Sequence, residues 1–123
     1  MYVCTSYFYI AGYTFPETVT IRRTGPARNH FAVGEYTKTE GIVEGRPIWE
    51  QKKPGPEVPS SSLNFLFYTK NNNWLVGKDY HHAAGSFRTS QPGLLRIPSS
   101  GWEYFDGSKN QWILDHGLHV EGA

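Results

Sequence analysis

"NFLFYTKNNNWLVG", residues 64–77, decides the fold. In an extended chain Phe65 and Phe67 point to one side and Leu66 and Tyr68 to the other. Beyond the asparagines at the tip, Trp74 and Val76 alternate in the same way with Leu75 and Gly77. Two apolar runs joined through such a tip read as a β-hairpin, and both of its faces are apolar. A sheet with one wet face would not tolerate that pattern, so the hairpin belongs at the centre of a sandwich or a closed barrel. Asparagine accepts left-handed backbone, which explains the tip by turn geometry before any ligand is invoked.

The same grammar recurs in "WEYFDGSKNQWILD", residues 102–115. Phe105 stands where Tyr68 stood, Asn110 where Asn73 stood, and Trp112 where Trp74 stood, with one residue inserted. Asp106-Gly107 supplies the turn chemistry. Two copies of one hairpin fall short of a repeat array, which needs at least about three. On this parallel Trp74 and Trp112 both read as core, whereas Trp49 and Trp102 lie beside charged or glycine residues near strand ends and are candidates for exposure.

Elsewhere "ETVTIRRTG" alternates Val19 and Ile21 with polar residues, a half-buried strand. Further short strands are expected over residues 35–39, 47–52, 86–89 and 94–97. Pro47 lies at a strand start or an edge because it has no N–H to donate. "PGPEVPSSS", residues 54–62, is a surface excursion. No window carries apolar residues at helical spacing over three turns. The expected architecture is all-β: a single small antiparallel sandwich or barrel-like module of roughly six to eight short strands. Residues 1–17 form an aromatic N-terminal arm and residues 18–123 a single β-rich domain. The arm is interrupted by polar residues and closed by Pro16, so it reads neither as a membrane span nor as a signal peptide.

Composition narrows the function. The 123 residues suffice for one modest core, and aromatics, at 15%, must fill much of it. Twelve Lys and Arg balance eleven Asp and Glu, with no basic or acidic half. That gives little electrostatic drive toward nucleic acid, which is not expected as a partner. The single cysteine, Cys4, allows neither an internal disulfide nor a cysteine-cluster metal site.

The ordered run "VTI…VGEY…EGRPIWEQ…FLFYTKNNNWLVGKDY…AGSF…SGWEYFDGSKNQWILD" resembles a small β-rich module of multi-domain animal, algal and protist proteins. The matching pattern is Gly-x-Tyr, Gly-Arg-Pro with an aromatic, Phe-Tyr…Asn-Trp-x-Val, and Gly-Trp-x-Tyr-Phe-Asp-Gly, from about Val19 to Asp115. The resemblance implies a non-enzymatic recognition or architectural unit, often fused to others. The insert at 54–62 and the N-terminal arm depart from the pattern.

Residues that could carry chemistry are few. No serine sits in a Gly-x-Ser-x-Gly elbow, no glycine-rich loop opens a helix, and no paired carboxylates mark a cleft. In "DYHHAAG" the adjacent His81 and His82 point to opposite faces of an extended chain, and in "DHGLHVE" Gly117 argues against the helix on which His116 and His119 could share a metal, so no metal or other cofactor is expected. What remains is binding. Trp49, Trp102, Asn72 and the Asp79, His81, His82 and Arg88 loop supply rings, amides and charges of the kind that meet a protein or a glycan. The expectation is a non-catalytic module for protein–protein recognition or assembly, with a lectin-like carbohydrate binder as the alternative. An extracellular location or a place in a larger assembly is slightly favoured.

Overall fold

A computed structural model of the chain describes residues 9–10, 13–25, 30–53 and 59–122. Its strands, in chain order, are β1 (Tyr9–Ile10), β2 (Tyr13–Thr14), β3 (Thr18–Arg23), β4 (Gly34–Val43), β5 (Arg46–Gln51), β6 (Phe65–Tyr68) and β7 (Trp74–Gly77). β8 (Phe87–Thr89), β9 (Trp102–Asp106), β10 (Gln111–Asp115) and β11 (Leu118–Gly122) complete the set. β3 to β10 run as an antiparallel meander, and β11 crosses back to pair with β3. The nine strands make one nearly closed, barrel-like sheet, while β1 and β2 pair only with each other. Among the described residues there is no α-helix.

The all-β expectation therefore holds, with slightly more strands than expected. Residues 94–97 form no strand. β11 is additional, and its alternation of Leu118 and Val120 with His119 and Glu121 is the signal that marks it. Much of the arm (residues 1–8 and 11–12) and most of the 54–62 insert lie outside the described residues.

The central hairpin behaves as its alternation requires. Leu66, Tyr68, Trp74 and Val76 point into the barrel. Phe67 and Leu75 point outward and are buried there against Ile48. Inside, rings meet edge to face: Trp49 and Trp74 at 5.9 Å, Tyr68 and Trp74 at 5.3 Å, and Phe15 against Trp49 at 6.0 Å. Phe15, only 1% exposed, makes the end of the arm part of the core. Each buried ring of this size contributes roughly 1.5–3 kcal/mol of transfer free energy.

A buried indole still needs an acceptor for its N–H. Trp49 Nε1 donates to Pro16 O at 2.9 Å, Trp74 Nε1 to Leu94 O at 3.1 Å, and Trp102 Nε1 to Pro98 O at 2.8 Å. Those carbonyls belong to the segments before β3 and between β8 and β9, so the tryptophans hold the connecting segments against the barrel.

Three aromatic assignments change. Trp49 and Trp102 have no exposed surface, which removes both as ligand contacts. Charged and glycine neighbours misled here, because on a strand the neighbours of an inward ring point outward. Trp112, expected in the core, lies half-buried on the outer face instead. Tyr68 pairs with Trp74 inside the barrel and Phe105 pairs with Trp112 outside it, each with ring centroids 5.3 Å apart. The hairpin grammar repeats, but the second copy sits one residue out of phase, and a one-residue shift turns a side chain to the opposite face.

Between β10 and β11 there is no ladder. They diverge from a two-residue turn at His116 and Gly117, and other contacts tie this seam. Arg23 on β3 pairs with Asp115 on β10, both side chains 7% exposed, with the guanidinium 5.6 Å from the Tyr104 ring centre. Thr24 N donates to Gly117 O at 2.8 Å, and Val120 N donates to Ser99 O at 3.1 Å.

Candidate functional site

With the barrel filled by side chains, chemistry available to a partner lies on its outer surface. Residues 78–84 leave β7 and return alongside it, and Ser86 N donates to Val76 O at 2.7 Å. Glycine makes this return possible. A Cβ on Gly85 would lie 2.1 Å from Val76 O, and one on Gly77 would lie 2.4 Å from Ala84 O, both prohibitive. Tyr80 anchors the loop on the outer face, its ring 5.2 Å from that of Phe65, and the His81 ring lies against it at 4.7 Å.

Asp79 organises the rest of the loop. Its Oδ1 accepts His81 N at 2.9 Å, and Oδ2 lies 2.6 Å from His82 Nδ1. The His81 N–H first, and the His82 side chain second, hold its carboxyl below the usual carboxylate range. Between this loop and the β4–β5 and β6–β7 turns lies a recess of about 150 Å³. Val43, Phe67 and Tyr80 give it apolar surface, while Glu44, Lys70 and His81 give it polar groups.

A second surface covers the outside of β8, β9 and β10. Arg88 Nε donates to Glu103 Oε1 at 2.7 Å, and the guanidinium lies 4.5 Å from the centre of the Trp112 ring. Trp112 rests edge-on against Phe105, and Leu114, one step along the same face of β10, is 47% exposed.

The structure thus brings Asp79, His81 and His82 together in one loop, with His81 and His82 lining the recess. Asn72 occupies the neighbouring β6–β7 turn, exposed and at φ 64°, and its carbonyl accepts Gly93 N at 2.7 Å. It does not line the recess. Arg88 belongs to the second surface and not to the histidine loop. Tyr80, Lys70, Glu44, Trp112 and Leu114 escape a reading by sequence, because each stands next to residues with a plainer structural role. Only the outward parity of Leu114 on an edge strand would have revealed it. No family model matches the chain, and no curated protein or solved structure shows significant similarity to it.

Proposed function

We propose that the chain is a non-catalytic recognition and assembly module that meets a protein partner on the outer face of β8 to β10. One observation carries the proposal: three of the four tryptophans are wholly interior, and the fourth, Trp112, is only partly buried, between Arg88 and Phe105 with the exposed Leu114 beside it. Tryptophan and arginine dominate the hot spots of protein interfaces, and here they flank an exposed aliphatic side chain at the margin of a sheet. The module resemblance of the motif order agrees with such a role. Quantitative affinity capture tests it with Trp112→Ala, Leu114→Arg and, as a control in the recess, Tyr80→Ala. The expected result is a set of proteins lost by both β10 variants and retained by Tyr80→Ala. Capture that ignores Trp112 and Leu114 would contradict the proposal.

The recess favours a second reading, a lectin-like site for one sugar residue. Aromatic surface beside a few polar groups suits the apolar and hydroxylated sides of a saccharide ring, and Tyr80, His81, Lys70 and Glu44 combine both around about 150 Å³. A glycan array tests it: binding should fall at least tenfold in Tyr80→Ala, and silence of the unaltered chain on every sugar would end it.

A further inference from the structure

We infer that two copies of the chain join edge to edge through β10, antiparallel about a twofold axis at Ile113, to make one continuous sheet. The inference rests on the assembly reading above and gives it a partner: a second copy of this chain.

Phe105 N donates toward β8, to Ser86 O at 2.9 Å. In an antiparallel ladder the N–H and C=O of one residue face the same neighbour. Phe105 is therefore turned away from β10, and its pairing with Trp112 is the non-bonded kind. The bonded pairs fall on either side, at Tyr104 with Ile113 and at Asp106 with Gln111. It follows that the N–H and C=O of Trp112 and Leu114 point away from the sheet, along its edge.

The two edges of the sheet are treated differently. β11 is covered where Val120 N donates to Ser99 O. On β10, nothing among the described residues bonds to the outward groups of Trp112 and Leu114. Its sequence, Gln111-Trp112-Ile113-Leu114-Asp115, carries no lysine, proline or bulge, and its one charge, Asp115, points inward at the end of the strand, where Arg23 engages it.

That sequence is complementary to itself when reversed. With the axis at Ile113, Trp112 lies opposite Leu114 of the second copy, and Gln111 lies opposite Asp115 of the second copy. The outer face gains an apolar Trp112–Leu114 cross-strand pair on each side of the axis. Trp112 and Leu114 become bonded partners, each N–H meeting the other's C=O, and symmetry repeats this so that every outward group of both residues is satisfied. Moving the axis to Trp112 would instead place Leu114 opposite Asn110, a turn residue at φ 52°, and lose half of those bonds.

Light scattering on the full chain over a concentration series tests the inference. The expected result is a mass rising toward twice the 14.0 kDa of one chain, and Leu114→Arg remaining at 14.0 kDa throughout. In a Cys4→Ser background, Ile113→Cys should form an intermolecular disulfide under mild oxidation. Non-bonded antiparallel Cα atoms lie about 4.5 Å apart, within reach of a disulfide. Gln111→Cys, facing Asp115 instead of itself, should cross-link at least tenfold less. A monomeric mass at every concentration, an unaltered dimer in Leu114→Arg, or equal cross-linking of the two cysteine variants would each overturn it. A monomer whose affinity capture still depends on Trp112 and Leu114 would defeat self-pairing alone. Loss of both results would defeat the assembly reading as well.

Discussion

Tyr36 is fully buried on β4 and donates its hydroxyl proton to Ala32 O at 2.6 Å. Burial pushes its pKa far above the ordinary tyrosine value of 10.0. Because the folded value is the higher one, the associated stability is fully present below pH 10 and is lost as pH climbs above it, when the unfolded chain ionises first. Urea unfolding at rising pH should therefore show stability falling above pH 10, with a shallower fall in Tyr36→Phe; parallel curves would contradict this. At neutral pH the same substitution strands the Ala32 carbonyl and should cost about 1–2 kcal/mol. That Tyr36 lies on a strand was legible in the sequence. Its hydroxyl partner was not, since Ala32 belongs to a short turn that no pattern announces.

At the scale of elements, both hairpins could be read before any coordinates, because alternation and turn residues are local properties. The face presented by the second hairpin could not, because the phase of its alternation depends on where the meander enters β9. The same limit explains why Trp49 and Trp102 read as contact residues while Trp112 read as core. Turns allow direct tests. Glu44 sits at φ 50° before Gly45 at φ 74° in the β4–β5 turn, a conformation that asparagine accepts more readily than glutamate. Glu44→Asn should raise unfolding stability by about 0.5–1 kcal/mol, and a loss in a denaturant melt would contradict the turn assignment. Gly85→Ala should do the reverse. Its methyl group would collide with Val76 O, so the 78–84 loop should separate from β7 and amide exchange at Ser86 should accelerate. Unchanged protection there would count against the close return that shapes the recess.

The whole molecule depends on closing a sheet whose last two strands diverge. Arg23 and Asp115 bridge that seam from a nearly dry position, and Asp115 also accepts Gly117 N at 3.0 Å to hold the turn. Removing the arginine leaves a buried carboxylate uncompensated, so Arg23→Ala should lower unfolding stability by about 3–5 kcal/mol, with part recovered by adding Asp115→Asn. A loss no larger than that of a surface substitution would show the seam to be held elsewhere. Closure of this kind was not legible in the sequence, since it joins residues 92 positions apart that carry no shared motif. The barrel interior takes up Trp49, Trp74 and Trp102 and leaves Trp112 as the tryptophan a partner can reach. Iodide quenching of intrinsic fluorescence tests it most directly. Quenching should be confined to one emitting component and disappear in Trp112→Phe, whose remaining emission stays blue-shifted; substantial quenching that persists in Trp112→Phe would contradict it.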